Sequence, residues 1–385
     1  MSTSKASFQA LRFWWAFLRW NIGKYDPSWV IDSIINELAA IPTLRDINLN
    51  YLRYASHFGN LDAFSNLHKI RVQGASLGID KFILDLGKLL AQCPGLTDLD
   101  ISIESFYESD SNNMSQLFRF LDQTEKPLSL HNLRMDGISV SPDFSELAIG
   151  NLRSLQSFHI YRFSSNGTGY TIWDIFRKER IYIQSLSTDA ADDSLLRYLS
   201  SFHGMRKFSL IKYSFLQFDI SLQVLQNMIP HHVESLTELS MLAGPNCRII
   251  NLFWSENLVN LLSSFKNLQY FGLQLHVTAC YISIIVGVFC NVNILFITLT
   301  RSQGSIIQTC SKIFPKLQRL VLNTPWMAWA PQNTTPTTIV HDAISQYQYQ
   351  LNDHSGPVTS FEIECERRVY FPRHDETTGT FSYIT

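Results

Sequence analysis

One phrase recurs along this chain and constrains it more than any other feature. In QCPGLTDLDISI, residues 92–103, Leu96, Leu99 and Ile101 stand in the spacing L-x-x-L-x-L just after a Cys-Pro. The same triplet appears as Leu44-Ile47-Leu49, Leu67-Ile70-Val72, Leu130-Leu133-Met135, Leu155-Phe158-Ile160 and Ile183-Leu186-Thr188. It continues as Met205-Phe208-Leu210, Leu236-Leu239-Met241, Leu268-Phe271-Leu273, Ile294-Ile297-Leu299 and Leu317-Leu320-Leu322, and more weakly as Val358-Phe361-Ile363. Successive triplets begin about 22 to 34 residues apart, with one longer gap at the end, a period that belongs to repeat architectures.

The last two members of each triplet are two residues apart, so they point to one side of a short strand. The first marks the turn into that strand. One repeat cannot bury this apolar side alone; stacking repeats sets the strands side by side in a parallel sheet with a continuous core. Apolar residues at helical spacing fill the gaps. Phe82, Ile83, Leu86, Leu89 and Leu90 line a helix predicted over Lys81–Gln92. Asp193 is placed to cap Ser194–Phe202, burying Leu195, Leu196 and Leu199, and Ser255 to cap Glu256–Phe265, burying Leu258, Leu261 and Leu262. The expected fold is α/β: a curved solenoid with parallel strands on the concave face and helices on the convex face.

Three regions follow. Residues 1–40 fall outside the repeat, and Phe8, Leu11, Trp15 and Leu18 recur at helical spacing, which reads as a helical cap over an open solenoid end. The alternative is an interfacial membrane helix, given the Trp residues and the basic Arg12, Arg19 and Lys24. Residues 41–325 form the solenoid. Residues 326–385 read as a C-terminal cap: a Thr- and Pro-rich loop, a short helix over Thr338–Tyr349, then strands over Phe361–Phe371 and Thr380–Ile384 joined by a turn. The apolar window Tyr281–Leu299 is near transmembrane length, but Asn291 and Asn293 lie within it and the repeat register divides it into a buried helix and a buried strand. No membrane span is expected.

A formal net charge of -2 argues against a nucleic-acid partner, which would need a basic surface against phosphates. The 6 cysteines form neither C-x-x-C pairs nor a disulfide framework, and read as reduced thiols in a cytoplasmic or nuclear protein. No nucleophile elbow, phosphate loop, dinucleotide fingerprint or H-E-x-x-H occurs, so no enzyme and no cofactor are expected. His231-His232 lacks a Cys or carboxylate at ligand spacing and reads as a solvated helix end, not a metal site. Asp189, Asp192 and Asp193 read as a strand-to-helix turn with an N-cap.

The informative positions alternate with the core residues and face the concave side. Early repeats place Asp46, Asn48, Lys69, Arg71, Asp98, Asp100, Arg134 and Asp136 there; later ones place His159, Tyr161, Ile211, Leu242, Tyr270, Phe296 and Val321. An apolar patch on a wet sheet face marks a partner site, unless loops fold over it. Trp326 and Trp329, beside the last strand, read either as rim anchors or as cap core. The expectation is a monomer that binds a protein partner through this face.

The repeats resemble those of leucine-rich-repeat proteins, and QCPGLTDLDIS resembles the cysteine-containing subtype common in F-box proteins. FPKLQRLVL and LSLHNLRMDGISV, with the irregular repeat lengths, resemble the leucine-rich regions of fungal F-box-like proteins. The resemblance implies a substrate-recognition subunit of a cullin ubiquitin ligase, docked through the adaptor Skp1. The Leu-Pro opening of an F-box is missing; RFWWAFLRWNIGKYDPSWVI resembles at most the tail of a degenerate one.

Overall fold

The computed structural model describes residues 35–50, 61–75, 79–104, 127–137, 144–161, 172–189, 191–212, 218–243, 260–274, 316–323, 348–350, 361–365, 368–375 and 380–385, with a few isolated positions between them. The N-terminal cap helix, the repeat at Ile294-Ile297-Leu299, Phe296, Trp326 and Trp329 lie outside these residues. Two compact units divide the chain, Met1–Ile183 and Gln184–Thr385.

In the first unit, β1 (Asp46–Asn50), β2 (Lys69–Ala75), β3 (Asp98–Glu104), β4 (Asn132–Asp136) and β5 (Ser157–Tyr161) pair in chain order, every pair parallel. The register is the one the triplets require. Ile47, Ile70, Leu99, Leu133 and Phe158 form one buried row, and Leu49, Val72, Ile101, Met135 and Ile160 the next. Leu67, Leu96, Leu130 and Leu155 are buried where the chain turns into each strand.

Connectors close the other side of this core. The helix α1 (Ile79–Gln92) starts two residues earlier than its apolar spacing predicts and buries Ile83, Leu86, Leu89 and Leu90; each such side chain contributes roughly 1.5–3 kcal/mol. It stops at Cys93-Pro94, where proline cannot continue a helix. The helix α2 (Phe144–Leu152) buries Ala148 and Leu152, and also Asn151, whose Oδ1 accepts the Leu128 N–H at 2.7 Å. The helix α3 (Ile172–Lys178) sets Trp173 and Phe176 edge-on to Phe158, with ring centroids 5.9 and 5.2 Å away.

The second unit repeats the plan with β6 (Ser185–Thr188), β7 (Lys207–Lys212), β8 (Glu238–Ala243), β9 (Tyr270–Gln274) and β10 (Arg319–Asn323), again parallel. Leu186, Phe208, Leu239, Phe271 and Leu320 form its buried row. The helix α4 (Asp193–Leu199) is capped by Asp192, one residue before the predicted cap, whose side chain accepts the Leu195 N–H at 2.9 Å. Its buried stripe is Leu195, Tyr198 and Leu199, while Leu196 is half-exposed. The helix α5 (Phe218–His232) follows β7.

Past β10 the plan changes. Strand β11 (Gln348–Gln350) replaces the end of the helix expected over Thr338–Tyr349, where residues 344 and 345 are helical. The Gln-Tyr-Gln alternation suits an edge strand, and β11 pairs antiparallel with β14 (Thr380–Ile384). Strand β12 (Glu362–Cys365) runs parallel to β10 and adds a last repeat, with Phe361 and Ile363 buried. Strand β13 (Arg368–Asp375) then turns back antiparallel to β12 and pairs with β14. The architecture is α/β with an open, mostly parallel repeat sheet, the fold class that the triplets predict.

A hydrogen-bond device recurs at the strand entrances. The carbonyl of Arg45 accepts the N–H groups of both His68 and Lys69, at 2.7 and 3.1 Å. His68, Thr97 and His131 repeat this toward Thr97/Asp98, His131/Asn132 and Gln156/Ser157. In the second unit Gln184, Arg206, Thr237 and Gln269 do the same toward the strands that follow them. Each of these carbonyls thus accepts two backbone amides of the following strand entrance.

Candidate interaction face

The strand residues that alternate with the core rows form a second sheet face in each unit; in the first unit its middle row is half-exposed, whereas in the second Ser187, Ser240, Gly272 and Val321 are buried. Parallel pairing in register lines them up across strands. In the first unit the middle row runs Asn48, Arg71, Asp100, Arg134, His159. The row at the strand starts runs Asp46, Lys69, Asp98, Asn132, Ser157, and the row at the strand ends runs Asn50, Gln73, Ser102, Asp136, Tyr161.

The middle row is electrostatically built. Arg71 Nε lies 2.9 Å from Asp100 Oδ2, and Arg134 Nε 3.7 Å from Asp100 Oδ1. One carboxylate is thus shared by two guanidinium groups. The Arg134 guanidinium also sits over the Tyr161 ring, 5.5 Å from its centroid, a cation–π placement that holds the arginine over the sheet. Burial raises the Asp100 pKa, and the positive charges of Arg71, Arg134 and Lys69 oppose that shift. His159 is pushed the other way: burial first, then the Arg134 charge, lowers its pKa and keeps it neutral, with Nε2 3.0 Å from Ser157 Oγ. Around this row, Asn132 Nδ2 donates to Asp98 Oδ1 at 2.7 Å and Thr97 Oγ1 to Asp98 Oδ2 at 2.7 Å, while Ser102 Oγ donates to Asp136 at 3.4 Å.

The predicted contact residues of the first unit therefore converge. Lys69, Arg71, Asp98, Asp100, Arg134, His159 and Tyr161 share one face of β2–β5. Tyr161 differs from the expectation in one respect: it is 7% exposed, with Arg134 over its ring, so it supports an arginine instead of offering a free apolar contact.

In the second unit Ile211 and Leu242 stand opposite each other on β7 and β8. Tyr270 is on the strand-start row of β9, half-buried, with its phenol pKa raised by burial and by the charges of Glu364 and Glu238. Val321 is buried at 6% exposure, between Gly272 and Glu364 in the register, and the Arg319–Glu364 pair runs beside it. The apolar character expected of these later repeats is diluted by residues that the sequence reading passed over. Lys207 Nζ meets Glu238 Oε1 at 2.6 Å, and Arg319 reaches Glu362 Oε2 at 2.7 Å and Glu364 Oε2 at 3.4 Å. The middle row here is small from Ser187 through Ser209 and Ser240 to Gly272, continues to Val321, and is buried at all of these but Ser209. The signal for all of these was present, since each occupies a fixed offset from its triplet.

His231 and His232 are not a solvated helix end. His232 is fully buried; its Nε2 donates to the Leu199 carbonyl at 2.8 Å and its Nδ1 accepts the Met205 N–H at 3.3 Å. These bonds fix a neutral imidazole, and its pKa is lowered to about 4, chiefly by burial. Among the described residues no group of three or more His, Cys, Asp or Glu is placed to hold a metal ion, and no helix is long and apolar enough to cross a membrane. Compared with known proteins, the chain matches no family model and no curated sequence.

Proposed function

We propose that this chain is a non-catalytic protein-interaction scaffold that receives a partner on the open strand face. The observation that carries the reading is the ordered charge row Arg71–Asp100–Arg134 on β2–β4. A core needs nothing from that side of the sheet, and exposed ion pairs add little stability, typically under 1 kcal/mol. Charged groups held in fixed geometry on a rigid sheet instead serve orientation and partner choice. The resemblance of QCPGLTDLDIS to repeats of F-box proteins supports a finer reading, in which the partner is a substrate delivered to a Skp1–cullin ubiquitin ligase in the cytoplasm or nucleus.

Affinity purification of the tagged chain from its native cells, followed by mass spectrometry, tests both levels. A stoichiometric protein partner is expected. Skp1 and a cullin among the recovered proteins would support the ligase role, and a different stoichiometric partner without them would reduce the reading to a stand-alone scaffold. Recovery of no partner at all counts against the scaffold itself.

A further inference from the structure

The open face of β2–β4 has a charge pattern specific enough to describe its ligand. The middle row has two guanidinium groups and one carboxylate, an excess of one positive charge. Both arginines approach Asp100 through Nε, on the inner edge of the fork, and the side chains are 39% and 42% exposed. Their guanidinium groups carry further N–H donors, of the kind that a carboxylate bridging two arginines would accept. Arg134 is already ordered against Tyr161, so docking on it costs less side-chain entropy than docking on a free arginine.

The flanking rows are net negative: Asp46 and Asp98 outweigh Lys69 in one, and Asp136 stands in the other. Asp98 precedes the arginine pair, held by Asn132 and Thr97, and Asp136 follows it, held by Ser102. A run of negative charge, such as a nucleic-acid backbone, would meet these carboxylates on both sides of the arginines. A single acidic side chain flanked by neutral or basic residues would not.

We propose that this face binds an extended segment of a partner protein through one Asp or Glu side chain, whose carboxylate bridges Arg71 and Arg134 over Asp100. The proposal rests on the scaffold reading above and names the chemistry of its partner. Asp100 then acts as an internal competitor that holds the two arginines in place and weakens the hold on the ligand, so its removal and theirs act in opposite directions.

A displayed library of random heptapeptides, selected on the full chain, is the test. Wild type is expected to enrich Asp or Glu at one position at least several-fold over Asn or Gln, with neutral or basic neighbours. Arg71→Gln/Arg134→Gln should abolish that enrichment, and Asp100→Asn should strengthen it. Circular dichroism melts of each variant establish that it folds, and Arg134→Lys, which keeps the charge without the fork, should give a partial loss. Selected peptides without an acidic position, an acidic preference that survives the double substitution, or no selection at all would overturn the proposal. A cellular partner recovered equally well by wild type and by the Arg71→Gln/Arg134→Gln chain would overturn it too, while leaving the scaffold reading in place.

Discussion

His232 Nε2 donates to the carbonyl of Leu199 across 2.8 Å, which ties the end of α5 to the end of α4. The other ring nitrogen accepts the Met205 N–H, so protonation would set two N–H groups against each other. The folded pKa is about 4, against an ordinary 6.5. Below pH 6.5 the unfolded chain takes up a proton here that the folded chain refuses. The stability from the neutral ring is therefore complete above pH 6.5 and declines as pH falls toward 4, by up to about 3 kcal/mol. Urea unfolding at pH 7 and pH 4.5 should show the loss. In His232→Leu this component of the pH dependence should vanish, and stability at pH 7 should fall because Met205 N–H and Leu199 O lose their partner.

Asn151 is the buried polar anchor of α2, accepting the Leu128 N–H just ahead of β4. Asn151→Leu leaves that donor unsatisfied in the core and is expected to cost about 1–3 kcal/mol. A denaturant midpoint within error of wild type would show that water reaches Leu128.

Gly272 lies between two neighbours that need its missing side chain. A Cβ there would stand 2.8 Å from Ser240 Oγ, 3.3 Å from Ser240 Cβ and 3.4 Å from the Tyr270 ring. Gly272→Val should therefore destabilise by about 1–3 kcal/mol through overpacking. Ser240→Gly in the same chain should restore part of the loss, and the double-mutant cycle should be non-additive. Additive losses would place the strain elsewhere.

Cys93 closes α1 as a fully buried thiol 3.5 Å from the Phe64 carbonyl, with its pKa raised by burial; Cys310 is likewise buried with a raised pKa. The reactive thiolate is disfavoured at both. In native protein, iodoacetamide should leave the peptides carrying Cys93 and Cys310 unmodified over hours by mass spectrometry. Both should label within minutes in denaturant.

The strand ladder was legible because Leu96-Leu99-Ile101 and its copies encode period-2 burial locally, and eleven residues around each copy are enough to read it. The turn of phase between triplets also places Arg71, Asp100 and Arg134 in one row, so the charged face follows from the repeat. What sits on top of a strand was harder to read. Tyr161 and Val321 occupy the predicted face, yet both are buried, Tyr161 with the Arg134 guanidinium over its ring, and such burial depends on rotamers and not on spacing. His232 was misjudged for a related reason: two adjacent histidines after Pro230 look polar in sequence, and only the meeting of α4 and α5 supplies the two backbone partners that bury one of them.

The carbonyls of Arg45, His68, Thr97 and His131, each gripping two amides of the next repeat, act as index teeth. The strands that follow them, β2 to β5, are each re-zeroed at the first residue, whatever length of chain precedes it. Insertions and deletions in the connectors are thereby prevented from accumulating as phase error, and a carboxylate on β3 still meets arginines on β2 and β4 although the intervening segments differ in length. Such a chain can change its connectors freely while the chemistry written across its strands stays aligned.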